Sequence, residues 1–325
     1  MKKTTIPRTD LQASTLALGT DYFGSAVDRE TSMQLMDRYL EAGGNVIDTA
    51  ELYARWVPGG EHQSEKTIGH WLRERGVRDQ VILSTKGAHP HLESMDKPRL
   101  SKAEIQADLD GSLQRLGVEQ IDLYWLHRDG PQIPVEDILQ SLEDFRRAGK
   151  IKHAGFSNWT LPRADEARRY AEAAGIEGFV ASQNLWTLAT VNPEAADPTW
   201  AAIDGPFAEW HARHGFAAFP YFSQSNGYFR RMERGAMDQV PPDARVRMLH
   251  DNQENRERYG RLRELQRRSG YSTGQIVLGF LTNRPFPVFP LVGPKNLADL
   301  EESLASVDAV LSPEDVRYLE QGDPE

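Results

Sequence analysis

The chain has 325 residues, 39% of them hydrophobic and 26% charged, with a formal charge of −10 and no cysteine. Its acidic balance excludes broad electrostatic attraction to nucleic acid or to an anionic membrane, both of which need a basic surface. The missing cysteines exclude disulfides, thiolate nucleophiles and cysteine-ligated metal or iron–sulfur sites, leaving no metal site to assign.

No run approaches the roughly 18 apolar residues of a membrane span. The start, MKKTTIPRTD, has no apolar stretch behind its two lysines, so the expected location is the cytoplasm. Within residues 2–15, TTIPRTDLQAS reads as a short hairpin placed to plug the bottom of a barrel. From there short apolar or β-branched runs alternate with helix-period segments along the chain. Strands are expected at 16–19, 46–48, 81–86, 121–126, 153–157, 180–184, 217–221 and 288–291. Helices are expected at 29–42, 64–75, 102–116, 135–148, 164–173, 199–211 and 274–282, and Ser101-Lys-Ala-Glu104 reads as a capping box. Alternation of this kind implies a parallel sheet covered by helices. Eight strands favour a (β/α)8 TIM barrel, with residues 1–325 as a single domain. An open doubly wound sheet would also alternate, but no GxGxxG follows the first strand. After the seventh strand, the stretch SQSNGYFRRMERGAMDQVPPDARVRML far exceeds the ~2–6 residues of an ordinary βα loop and reads as a lid.

Barrel sites form at the carboxyl ends of the strands, so polar residues that end apolar runs are the ones to examine. Asp48 ends Asn45-Val-Ile-Asp, Tyr53 follows five residues later, Lys86 ends Val81-Ile-Leu-Ser-Thr-Lys, and His127 ends Ile121-Asp-Leu-Tyr-Trp-Leu-His. Singly, such residues are more often caps or packing. Jointly they make sense as chemistry, because a desolvated Lys86 needs a carboxylate partner and Asp48 supplies one. A phenol of pKa about 10 is a poor acid at neutral pH, and an adjacent ammonium is expected to lower it. Tyr53 then serves as proton donor, while a neutral His127 orients a carbonyl oxygen.

These four residues, in order and spacing, resemble the catalytic tetrad of the aldo-keto reductase family. Supporting matches are Gly44-Asn-Val-Ile-Asp-Thr-Ala-Glu-Leu-Tyr53, Ser64-Glu65 with Gly69, Leu126-His-Arg128, Gly149-Lys-Ile-Lys-His-Ala-Gly-Phe-Ser-Asn158 and Ser182-Gln-Asn184. The resemblance covers nearly the whole chain. It implies reduction of an aldehyde or ketone to an alcohol by an NADP-dependent oxidoreductase, with NADPH preferred and NADH as the alternative. It also implies that Ser157, Asn158 and Gln183 hold the nicotinamide carboxamide, that Tyr221 stacks on the nicotinamide ring, and that Gly19, Thr20 and Asp21 border it. Gly227, Gly293, Lys295, Asn296 and Glu302 match the pyrophosphate and adenosine end. Two departures stand out there: Tyr221-Phe222-Ser223-Gln224 replaces a common Tyr-Ser-Pro-Leu, and Asp299 and Ser303 replace residues that usually contact adenosine.

Tyr22, Phe23, Trp56, Trp159 and the Arg128-Asp129 pair are the candidates for substrate contact. Aromatics at a barrel mouth suit a sugar face or an apolar aldehyde, and polar neighbours of His127 tilt the reading toward a hydroxylated, sugar-like carbonyl compound. A nicotinamide-binding regulatory subunit with little turnover is the rival that the same resemblance allows. A two-carboxylate glycosidase built on Asp48 with Glu51 or Asp129 is the rival from outside it, and Lys86 argues against it.

Overall fold

Strands Lys3–Thr5 (β1) and Gln12–Ser14 (β2) pair antiparallel in a computed structural model that describes residues 1–322. Between them the chain turns back at Ile6 and Leu11, whose side chains with Ala13 join the apolar filling of the barrel. The expected hairpin is therefore present, and it closes the barrel floor.

The wall follows as Ala17–Gly19 (β3), Val46–Asp48 (β4), Ile82–Gly87 (β5), Ile121–Leu126 (β6), Ile151–Phe156 (β7), Phe179–Ser182 (β8), Ala217–Ala218 (β9) and Leu291–Val292 (β10). Every pairing is parallel, in the order β10-β3-β4-β5-β6-β7-β8-β9. The ring closes where Ala218 bridges Val288 and where the amides of Phe289 and Leu291 donate to the carbonyls of Ala218 and Pro220 at 2.8 and 3.0 Å. This is the (β/α)8 barrel that the alternation predicts. Strands β9 and β10 are only two residues long because Pro220, Pro287 and Pro290 interrupt them, and proline cannot donate to a ladder.

Side chains of a strand point alternately to its two faces. Ala17, Val46, Ile82, Leu123, Trp125, Val180 and Phe289 fill the interior. Their neighbours Leu18, Ile47, Leu83, Tyr124 and Leu126 pack outward beneath the helices with Tyr39, Trp71, Ile105 and Ile138. Gly155 is needed for this filling, since a Cβ there would lie 2.3 Å from the Trp125 ring.

Helices Arg29–Glu41, Gln63–Arg75, Lys102–Leu116, Val135–Arg147, Leu161–Ala174 and Thr273–Thr282 lie close to their expected places. The helix expected at 199–211 starts only at Gly205. Asp204 accepts from the Phe207 amide at 2.9 Å and Pro206 follows in the first turn, so 199–204 is left free to run beside the cleft. The stretch after β9 is not one irregular loop either. It holds a 3-10 turn at Ser225–Gly227 and helices Tyr228–Glu233 and Arg245–His250, followed by a helix at Gln253–Ser269 that periodicity does not reveal. Among the described residues no helix is long and apolar enough to cross a membrane.

Candidate active site

Inward parity carries the chemistry to one place. Val46 and Ile82 point inward, so Asp48, Ser84 and Lys86 do too, and Trp125 on β6 sets the same parity for His127 at its end. The Lys86 ammonium donates to Asp48 Oδ2 at 2.5 Å, to the Thr49 carbonyl at 2.8 Å and to the Tyr53 hydroxyl oxygen at 2.9 Å. Lys86 and Asp48 are each only 1% exposed. The other Asp48 oxygen accepts from Ser84 Oγ at 2.8 Å and from Gln183 Nε2 at 2.9 Å, and Trp125 Nε1 in turn donates to Ser84 Oγ at 2.6 Å. The buried carboxylate is thus held from three sides, as a charge taken out of water requires.

Burial decides the protonation states. It pushes the Tyr53 phenol well above its ordinary value, and the Asp48 and Asp21 charges push the same way. It pulls the Lys86 ammonium down, against the support of Asp48. The expected lowering of the Tyr53 pKa is therefore corrected: in this cleft desolvation outweighs the neighbouring ammonium, and Tyr53 is a neutral phenol. His127 is held neutral by burial first, with the Arg128 and Lys86 charges and any charge on His89 acting the same way, and its Nδ1 is buried without a hydrogen-bond partner among the described residues. The His89 ring stands edge-on to it at 4.9 Å, with its own pKa pulled down by burial to about 4.

These groups open into a cleft of about 980 Å³. Gly19, Thr20, Asp21, Ser157, Asn158 and Gln183 line its inner part, beside Tyr53 and His127. Ser157 Oγ donates to the Gln183 carbonyl at 2.7 Å, and the Tyr221 hydroxyl donates to Asn158 Oδ1 at 2.6 Å. Asp21 is pushed up to about 6 by burial, against the pull of Lys295 and Lys86. Gly293 and Lys295 adjoin Asp21 and Tyr22, and Gly227, Arg230, Arg231, Arg234 and Glu302 complete the wall. Arg230 pairs with Asp299 at 3.0 Å and with Glu302 at 2.7 Å, which leaves Lys295, Arg231 and Arg234 as cations without a carboxylate within 4 Å among the described residues. A long cleft with a neutral acid at one end and cations at the other fits a dinucleotide, whose phosphates those cations complement.

The sequence model of the aldo/keto reductase family matches residues 15–323. The chain belongs to that family. Among similar aldo/keto reductase sequences, a norsolorinic acid reductase, stcV, of Emericella nidulans is 27% identical over 98% of this chain and 80% of its own length. An uncharacterized oxidoreductase, YrpG, of Bacillus subtilis is 27% identical over 98% of this chain and 95% of its own. The aldo-keto reductase YhdN of the same organism is 34% identical over 54% of this chain and 53% of its own.

As an aldo/keto reductase, the protein places most of the expected residues around one cleft, with Trp159, Phe23, Asn296 and Asp129 as the exceptions. Trp159 is fully buried behind β7, its ring 5.8 Å from Phe156 and 5.0 Å from Phe179, so it is core and not barrel mouth. Phe23 is core as well. Asn296 lies outside the cleft wall and caps helix Leu297–Leu304, accepting from the Asp299 amide at 2.9 Å. Tyr22 and Trp56 meet edge-on at 6.5 Å at the mouth, and the Lys295 ammonium sits 4.2 Å over the Tyr22 ring. Asp129 pairs with Arg163 at 3.4 Å rather than with Arg128. Sequence reasoning missed His89, Trp200, Phe222 and Arg245, all of which line the cleft. His89 had a signal, since it lies three residues beyond Lys86 at the end of the same strand.

Proposed function

We propose that this aldo/keto reductase reduces an aldehyde or ketone to an alcohol at the expense of a nicotinamide dinucleotide, with Tyr53 as proton donor. The observation that carries this reading is the buried chain Asp48–Lys86–Tyr53, whose last contact, 2.9 Å from Nζ to the phenol oxygen, opens on the cleft beside His127. The dinucleotide, when bound, supplies the hydride. Ser157, Asn158, Gln183 and Tyr221 would hold its nicotinamide end, and Gly227, Gly293, Lys295 and Glu302 its pyrophosphate and adenosine end.

Tyr53 keeps its proton until negative charge builds on the carbonyl oxygen. An alkoxide is a much stronger base than a phenolate, so the transfer runs downhill despite the raised phenol pKa. The phenolate left behind is then stabilised by the Lys86 ammonium at 2.9 Å, and Asp48 keeps that ammonium in place. His127, neutral, donates from the ring nitrogen that faces the carbonyl oxygen and fixes its direction. Asp299 and Glu302 are both paired to Arg230, so neither is left to oppose a 2′-phosphate, which favours NADPH over NADH.

Titration of the purified protein with NADPH and NADH by fluorescence, followed by a panel of aldehydes, ketones and sugars, tests the reading. Tyr53→Phe is expected to lose about 10²–10⁴ in kcat while its Kd for NADPH stays within twofold. Wild-type turnover in that variant would refute the proton-donor role. Tight NADPH binding without turnover of any carbonyl would instead favour a regulatory subunit.

A further inference from the structure

Two arginines beside the reacting end of the cleft have no carboxylate within 4 Å among the described residues, although ion pairs are plentiful elsewhere in the chain. Arg128 follows His127 and is half-buried. Its Nε donates to Thr199 Oγ1 at 2.9 Å and its Nη1 to the His127 carbonyl at 2.9 Å, and both bonds go to neutral oxygens. They fix the plane of the guanidinium and leave Nη2 without a partner among the described residues. Asp197, the nearest acid to influence it, reaches it only through Thr199, whose hydroxyl donates to Asp197 Oδ1 at 2.7 Å. Burial works against the Arg128 charge, and the site offsets that only in part.

Arg245 approaches from the other side. Its guanidinium lies 5.4 Å over Trp200, the residue after Thr199, and 4.9 Å over Phe222, with the group exposed toward the mouth. Stacking of this kind orients an arginine without neutralising it. Two oriented cations, linked through Thr199-Trp200 and lining the same cleft as Tyr53 and His127, form a seat in which neither is ion-paired among the described residues. A desolvated guanidinium with a free edge is worth most against a carboxylate or phosphate, which it can meet with charge-assisted bonds.

We propose that the physiological carbonyl substrate is an anion, its carboxylate or phosphate seated on Arg128 and Arg245 while its carbonyl meets Tyr53 and His127. The inference rests on the carbonyl-reduction reading and narrows its substrate class. A merely hydroxylated compound would leave both arginines facing uncharged groups.

The test uses matched aldehydes with saturating NADPH. One pair is 4-carboxybenzaldehyde against 4-carbamoylbenzaldehyde; the other is glyceraldehyde 3-phosphate against glyceraldehyde. The carbamoyl group withdraws electrons more strongly than the carboxylate, so intrinsic reactivity works against the predicted preference. The charged member of at least one pair is expected to have a kcat/KM about tenfold or more above its neutral mate, chiefly through KM, and the pair that shows it tells carboxylate from phosphate. Arg128→Gln should bring that ratio close to one. Arg245→Gln, at an exposed position, should cut it severalfold. A binding arm, quenching of tryptophan fluorescence by 4-carboxybenzyl alcohol and by its carbamoyl counterpart with NADP⁺ present, and likewise by glycerol 3-phosphate and by glycerol, needs no turnover. Equal kcat/KM and equal binding within both pairs would overturn the anionic substrate and leave the reductase reading intact. A charge preference unchanged in both variants would overturn the arginine seat. If no aldehyde is reduced but the charged alcohol still binds tighter, and Arg128→Gln abolishes the difference, the seat stands and the reductase reading falls.

Discussion

Lys86 is held by three oxygens, and the loss of any one acts on both stability and chemistry. Asp48→Asn removes the carboxylate that is paired with a buried ammonium. A loss of about 3–5 kcal/mol in unfolding free energy is expected, measurable as a drop in denaturant midpoint. Adding Lys86→Met to that variant should restore part of the stability but none of the turnover, which separates the fold's need for a neutral interior from the reaction's need for a charge. Asp48, Lys86 and His127 could be read from the chain because each lies at the end of an apolar strand, where parity sends side chains to the cleft, whereas Tyr53 was legible through its spacing from Asp48. Protonation could not be read that way. The direction of the Tyr53 shift depends on how much water the barrel top excludes, a sum over residues from many strands. Trp159 escaped for a different reason: Asn158 takes a left-handed φ of 62° and turns the chain, so alternation stops being a guide one residue later.

At the scale of elements, apolar runs located all eight barrel strands, because an inward and an outward face both buried give a continuous signal. The signal failed for helix Gln253–Ser269, which buries only Asn255, Arg258, Leu262 and Leu265 among its side chains. With so narrow an apolar stripe, the remaining marks are the ends: Asn252 accepts from the Asn255 amide at 2.8 Å, and Gly270 closes the helix at φ 75°. Asn252 also donates to Asn192 Oδ1 at 2.8 Å and so ties the helix to the segment after β8. Asn252→Ala should lower stability by about 1–2 kcal/mol in calorimetry. The stretch after β9 lacked any period because its pieces are held by charged contacts to other segments, Arg230 to Asp299 and Glu302 above all.

Across the whole molecule, four buried imidazoles are kept neutral by the fold. Burial brings His89, His211 and His250 to about 4 each, and takes His127 well below its ordinary value. In the unfolded chain all four titrate near pH 6.5. Between about pH 6 and 4 the unfolded state therefore binds up to four more protons than the folded one, and stability falls as the pH drops. Asp21 opposes this, since its folded pKa of about 6 lies above the unfolded value and it takes up its proton in the native state first. Burial raises the Glu51 and Asp129 carboxyls in the same direction as Asp21, so four imidazoles stand against three carboxyls and stability still falls as the pH drops. Unfolding free energy measured by urea titration at pH 4.5, 5.5 and 6.5 checks the sign and steepness. His211→Gln, at a position that bonds Ser182 Oγ and the Phe207 carbonyl at 2.7 Å, should reduce the slope by about one proton.

The proton-transfer groups are anchored at or just beyond the carboxyl ends of wall strands, whereas Arg230, Arg231 and Arg245 all come from the stretch that follows β9. Apart from Arg128, which follows His127 directly, these ligand-facing charges lie in a stretch of chain separate from the chemistry. Selection can exchange the charges of that stretch and move the protein to a new metabolite without disturbing a single contact of Lys86, so descendants with different diets can share one unaltered engine.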